Sequence, residues 1–482
     1  MKRYVWLLVL LAVLTLTACG ENQLPPEPEE GVLIYAALNP VTNTLEKFVA
    51  RFNENHEDVQ IEIHDYSDEG GRERLQTELV LGQVPDIMEL RCYGKTGEEL
   101  GDGLVGSVQF LPGSYAGSTD GYFMPYRQLA QKGYLEDLWP YIENDPELGR
   151  EAVLEAPLKA AEVNGGLYML FERTEIFTLI GRESVVGAQY GWTLDDMMGA
   201  YADMPEGSTI MRYNMTKGEV FFNLLCNSLE RFIDREAGEC SFDSEEFRAL
   251  VAFLETLPDE ADYADMLEVE AEVMRRIKNG TQMLEGMSIF WPRCISYSDS
   301  IFQERAAFVG YPMADGSSGS FFYLKGTVLA MSSTCHNKEA AWEYIRKMIT
   351  PYLRKSKGSI VGSGRRGSNI PVNLNDYEAI CWYELYNMAE ALRLYPKDPL
   401  KRFLLRHFQY GPEIYLMDFL TEEDIQRHRD LIDHTTQLFW PEDELSDIVW
   451  DTLGPYFAGD KPLDDTIALL QNRVGLYLNE QK

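Results

Sequence analysis

This sequence predicts an α/β fold, and three observations carry that prediction. Between Leu33 and Leu90, apolar runs of strand length alternate with stretches of helical period. The 482 residues are 45% hydrophobic and 12% aromatic, enough for roughly two to four domains and a large core. Strand and helix patterns then stay mixed to the end of the chain, with no internal repeat.

Residues 1–18 stand apart from that body. Lys2 and Arg3 open them, Val5 to Leu16 is nearly all apolar, and Leu16-Thr17-Ala18-Cys19 closes them. The run is short for a membrane span and reads as an export signal. Residues 19–30, polar and proline-rich, read as a tether.

Val32 to Ala37 follows as a first strand. Leu45, Phe48, Val49 and Phe52 give a helix, with Asn43 and Glu46 as a capping box. Val59, Ile61 and Ile63 alternate as a second strand. Leu75, Leu79 and Val80 mark a second helix ending at Gly82, and Asp86–Leu90 is a third strand. Such a β-α-β-α-β unit forms a parallel sheet, whose ligands sit beyond the carboxyl ends of its strands. The loops after Ala37 and Leu90 are therefore the first places to look for function. Residues 92–124, rich in glycine, read as a loop near that site.

Further along, Gly166–Leu170 and Met287–Trp291 read as strands, and Thr193 as the cap of a helix. Val220–Phe232, Glu245–Leu257, Ala271–Asn279 and Lys338–Thr350 read as helices. Ala306–Met313 is a strand, and Phe321–Ser332 a strand pair broken at Lys325-Gly326. From Tyr377 onward the chain reads as mostly helical, closing on a stripe of Leu463, Ile467, Leu470, Val474 and Leu478.

Charge narrows the partners. Without residues 1–18 the 43 basic residues fall to 41 against 78 acidic ones, and the net charge moves from −35 to −37. Such a surface repels phosphate backbones, which argues against nucleic acid. Of seven cysteines, Cys92, Cys226, Cys240, Cys294, Cys335 and Cys381 are scattered without a CxxC pair and are expected as buried free thiols. The six histidines form no zinc spacing, so neither metal nor cofactor is expected.

An ordered set of blocks carries a family likeness. Leu16-Thr17-Ala18-Cys19 resembles a bacterial lipobox, in which the cysteine is lipidated. Gly82-Gln83-Val84-Pro85-Asp86-Ile87, Gly133-Tyr134-Leu135-Glu136-Asp137-Leu138 and Asn164-Gly165-Gly166-Leu167-Tyr168 follow. Gly191-Trp192-Thr193, Gly310-Tyr311-Pro312 and Asn337-Lys338-Glu339-Ala340-Ala341-Trp342 complete the set. Together they resemble the extracellular solute-binding lipoproteins of ABC transporters, the maltose-binding-protein-like family. The chain departs from that family in having Phe290 before Trp291, and Lys325-Gly326 where a glycine pair is common.

The resemblance implies a two-lobed, periplasmic-binding-protein-like fold with a ligand cleft between lobes. Lobe one would be residues 31–138 and 292–350, lobe two 139–291 and 351–482. It implies a monomer, lipid-anchored through Cys19 on the outer face of the membrane. Such a receptor captures a sugar or oligosaccharide without chemistry and delivers it to a membrane permease by lobe closure. A surface glycan hydrolase and a ligand-sensing input to a signalling partner are the alternatives.

Sugar recognition needs flat aromatic faces and a few polar groups. Position selects Asn39, after the first strand, and Glu89 and Arg91, at the end of the third. It also selects Trp291 at a lobe crossing, and Tyr323 and Lys325 in the returning strand. Tyr213 and Trp382 would supply a second face. Each has a plainer reading: a turn before Pro40 for Asn39, an ion pair for Glu89 and Arg91, an exposed loop for Tyr323 and Lys325, core packing for the remaining aromatics. Gly362, Gly364 and Gly367 match a dinucleotide fingerprint by chance, since no helix opens there. His428, Asp433 and His434 read as a solvated helix face.

Overall fold

The computed structural model describes residues 31–68, 70–92, 122–213, 215–217, 220, 232–234, 237–257, 266–313, 315–351, 354–356, 359–361, 369–394, 407–410, 413–416, 419–440 and 443–480. The export signal, Cys19, the tether, Cys226, most of the 92–124 stretch, the body of the Val220–Phe232 helix and the Gly362–Gly367 run lie outside these residues.

The amino-terminal unit is parallel, as its pattern predicts. Strand β1 (Val32–Ala37) lies between β2 (Gln60–Asp65) and β3 (Ile87–Glu89), with Leu33 opposite Ile61 and Tyr35 opposite Ile87. Helices α1 (Asn43–Asn55) and α2 (Gly71–Val80) make the crossovers. The cap of α1 is Thr42 rather than Asn43: its extended backbone lets Oγ1 accept from the Leu45 N–H. Such a cap contributes about 1 kcal/mol. Asp86 clamps the entry to β3, accepting from the backbone of Ile34 and from the backbone and ring of His336.

Next come the short strands β4 (Arg91–Cys92) and β5 (Tyr122–Phe123), paired with each other. Two long strands follow, β6 (Leu170–Arg182) and, beyond β7 (Leu284–Ile289) and β8 (Ala306–Phe308), β9 (Phe321–Met331). The main sheet runs β7-β6-β9-β3-β1-β2. Strand β8 and then β10 (Ile370–Pro371) also pair with β6, and β11 (Gln437–Leu438) pairs with β9. Phe321–Met331 is thus one strand rather than a broken pair. A bulge between Lys325 and Val328, with Gly326 at φ 78°, absorbs the break. The strand from Ala306 ends at Phe308, because Gly310 at φ 67° turns the chain.

Two hydrophobic cores divide the molecule, giving a two-lobed α/β architecture. The first fills the parallel unit and reaches α3 (Arg293–Phe302), the start of α4 (Leu374–Leu394) and α5 (Glu422–His434). The second gathers Phe177, Trp192, Met197, Phe242, Phe247 and Leu254 with α6 (Asp443–Phe457) and α7 (Leu463–Glu480). Strands β6 and β9 serve both by alternation: Ile176, Phe322 and Leu324 belong to the first core, Phe177, Phe321 and Tyr323 to the second.

The carboxyl-terminal region also contains β11 and a hairpin, His407–Tyr410 with Glu413–Leu416. His428 is fully buried rather than solvated: Tyr377 covers its ring and bonds Nδ1, and burial pushes the imidazole down to about 3. Cys294, Cys335 and Cys381 are buried free thiols, whereas Cys92 and Cys240 are half-buried. Among the described residues, no helix is long and apolar enough to cross a membrane.

Candidate functional site

The carboxyl end of β3 builds the first part of the site. Glu89 is 3% exposed and its carboxylate meets four donors. Oε1 accepts from the Tyr35 hydroxyl at 2.8 Å. Oε2 accepts from the backbone N–H of Leu38 and Asn39, both at 2.9 Å, and from Asn39 Nδ2 at 2.7 Å. Burial raises the carboxyl above its ordinary range, and the Asn39 bonds oppose that rise. Asn39 Nδ2 also donates to the Arg91 carbonyl at 2.8 Å. Glu89 is therefore the anchor that folds the Leu38-Asn39 loop over the strand ends, and its oxygens are spent on that task.

Arg91 extends the site toward the long strands. Its guanidinium lies over the rings of Tyr323 (4.7 Å) and Phe123 (5.2 Å). Nη1 donates to the Leu324 carbonyl at 2.6 Å and Nη2 to the Tyr323 hydroxyl at 2.5 Å. Phe123 stands opposite Arg91 in the β4–β5 ladder, so the two ends of segment 93–121 meet at this residue. Lys325 lies over the other side of the junction, its Nζ 2.7 Å from Glu175 Oε1 and 4.7 Å from the Tyr323 ring centre. Tyr323 and Glu175 are opposite one another across β9 and β6. The Lys325 side chain is 26% exposed and that of Glu175 8%.

Asn39, Glu89, Arg91, Tyr323 and Lys325 are thus one contiguous cluster. Trp291, half-buried against the first core, lies two residues past Ile289, which pairs with Ile176 next to Glu175. Trp382 stacks on Tyr386 at 4.9 Å on α4; two residues on, Glu384 takes Arg293 at 2.8 Å, joining α4 to the helix that begins just after Trp291. Tyr213 stands elsewhere. Its neighbour Arg212 is bound bidentately by buried Glu270 and by Glu285. Glu285 is roughly 13 Å of strand away from Ile289.

Sequence reasoning passed over Glu175, Phe123 and Tyr35. The run Leu170-Phe171-Glu172-Arg173-Thr174-Glu175-Ile176 held a clue, because charges inside so apolar a stretch need partners. Phe123 and Tyr35 carried no comparable clue.

Chemically, the junction offers an ammonium, a carboxylate, an amide and aromatic rings, the groups that hold hydroxyl-bearing molecules. Among the described residues, no group of three or more His, Cys, Asp or Glu could hold a metal ion.

No protein-family model matches the chain, and no curated protein matches it. Solved structures do. A periplasmic oligogalacturonide-binding protein from Yersinia enterocolitica is 13% identical, covering 93% of this chain and 99% of its own, with a TM-score of 0.49. The sugar-binding protein MalE from Xanthomonas citri is 12% identical over 93% and 98%, with a TM-score of 0.48. An ABC substrate-binding protein from Listeria monocytogenes, in complex with cycloalternan, is 14% identical over 93% and 99%, with a TM-score of 0.43.

Proposed function

We propose that this chain is a solute-binding protein that captures a sugar or oligosaccharide, without chemistry, and delivers it to an ABC importer by lobe closure. In this reading Cys19 carries the lipid that holds the protein on the outer face of the membrane. One observation carries the reading. Strands β6 and β9 run between the two cores, and their midpoint bears Glu175, Tyr323 and Lys325, linked to Asn39 through Arg91. A solute held there would touch both lobes, so its binding energy would favour the closed form.

Asn39 and Lys325, with Glu175, would bond hydroxyls, and Trp291 and Trp382 would cover apolar sugar faces. Glu89 and Arg91 would hold the frame. The test is a thermal-shift screen of residues 20–482 against sugars, oligosaccharides, sugar phosphates, polyamines and peptides, with each sample checked for breakdown. A ligand at a hundred times its dissociation constant adds about 2.7 kcal/mol. A shift with a carbohydrate recovered intact is the expected result. A shift with the carbohydrate consumed would replace this reading by a glycan hydrolase.

A further inference from the structure

The sandwich around Arg91 has a third wall that comes from the far end of the chain. Phe439 and Trp440 follow directly on β11, and these consecutive residues serve different cores: Phe439 packs in the second, Trp440 in the first. Phe439 stands 5.6 Å from the Tyr323 ring and 6.2 Å from Phe123. Trp440 meets Phe123 edge-on at 5.0 Å and Tyr126 at 5.1 Å. Both rings that cover Arg91 are therefore backed by this one segment.

Hydrogen bonds close a circuit around the same place. The Leu90 N–H donates to the Val328 carbonyl on β9, and the Met124 N–H to the Leu90 carbonyl. Trp440 Nε1 donates to the Met124 carbonyl at 2.9 Å. The Phe439 N–H donates to Phe322 back on β9, at 2.8 Å. Arg91, Tyr323 and Phe123 lie within that circuit, and Phe439-Trp440 closes it.

We propose that Phe439 and Trp440 are positioning residues: they strap the two lobes together beside β6 and β9 and hold Arg91 against Tyr323 and Phe123. The strap takes its use from the solute-binding reading, because it fixes the frame around Lys325 and Asn39, but its geometry does not depend on any solute. Trp440 acts through Phe123 and Met124.

The test uses phenylglyoxal, an arginine reagent, on the full chain without solute, followed by peptide mapping of Arg91. Arg91 is 6% exposed in the parent and should label slowly. In folded Trp440→Leu, Arg91 should label at least about tenfold faster through local opening. Trp440→Phe keeps a ring against Phe123 but loses the bond to Met124, and should label at a rate between those of the parent and Trp440→Leu. Phe242→Leu, a truncation of a buried ring in the second core, is the control and should also leave Arg91 slow. Parental labelling in folded Trp440→Leu overturns the proposal, as does equally fast labelling in Phe242→Leu. Should Trp440→Leu fail to fold, hydrogen exchange of the unmodified protein decides. A common rate for the Phe439 and Met124 amides supports the strap, and a Phe439 amide about a hundredfold faster than Met124 refutes it. A solute screen without hits leaves this result untouched, and a failed strap leaves the solute reading standing.

Discussion

Glu89 and Glu175 are two buried glutamates on neighbouring parts of one junction, and their surroundings differ. Glu89 meets four neutral donors, two of them backbone N–H groups of the loop it holds. Glu175 meets Lys325, whose side chain is a quarter exposed. A carboxylate saturated by neutral donors is a structural knot: nothing from outside improves on its bonds. A carboxylate paired with a half-accessible ammonium leaves donors and acceptors that a polar solute can share. The difference separates the residues that shape the site from those that address a ligand.

The largest test of that contrast removes the knot. Glu89→Ala strands the N–H groups of Leu38 and Asn39, the Asn39 amide and the Tyr35 hydroxyl. A buried donor without an acceptor costs about 1–3 kcal/mol, and water can reach Asn39, so the loss should be about 4 kcal/mol. Denaturant unfolding measures it. A loss below about 1 kcal/mol would show that the loop does not depend on Glu89.

His428 supplies the opposite extreme, a buried group incompletely satisfied. Tyr377 bonds Nδ1, whereas Nε2 has no partner. Burial, with Arg429 adding to it, lowers the imidazole to about 3. Between about pH 6.5 and 3 the unfolded chain then binds a proton that the folded chain refuses, so stability falls as pH falls through that window, by on the order of 4 kcal/mol in total. Glu89 works in the other direction: with its carboxyl raised, the folded chain keeps a proton that the unfolded chain releases, and stability falls as pH rises above the ordinary carboxylate range. Unfolding across pH should show His428→Leu flattening the acid limb. An unchanged limb would place the acid sensitivity elsewhere.

Much of the fold was legible because it is local. The strands and helices of the parallel unit, the Thr193 cap and the final apolar stripe each follow from spacing within one element. The family-like blocks also proved to be fixtures of the scaffold. Asp86 clamps β1 and His336, Asn164-Gly165 makes a turn at positive φ, and Asn337 caps a helix. They identify an architecture and say nothing of a ligand. The site was half legible: Asn39, Glu89 and Arg91 followed from the rule about strand ends. Glu175, Phe439 and His428 did not, because their partners lie 150, 116 and 51 residues away in Lys325, Tyr323 and Tyr377. Periodicity reports that a residue is covered and cannot report by what.

A smaller effect isolates one bond of the knot. Tyr35→Phe removes the donor to Glu89 Oε1 and keeps the ring packed on Tyr344 at 5.8 Å. The loss should be about 1–2 kcal/mol. A loss as large as that of Glu89→Ala would mean that the hydroxyl, rather than the loop amides, carries the knot.

The smallest net stability effect, that of a double variant at Lys325 and Glu175, carries the most functional weight. Lys325→Met leaves Glu175, largely buried, without its cation and should cost about 1–2 kcal/mol. Adding Glu175→Gln removes the stranded charge, so the double variant should return to within about 1 kcal/mol of the parent. Solute affinity should behave differently. With both charged groups gone, a carbohydrate found in the screen should bind at least about tenfold more weakly, equivalent to about 1.4 kcal/mol. Calorimetric titration of the double variant reads that loss. Stability restored with affinity still missing would mark the pair as the surface that meets the solute. Affinity restored along with stability would make Lys325–Glu175 a strut like Glu89, and the contrast between the two glutamates would fall.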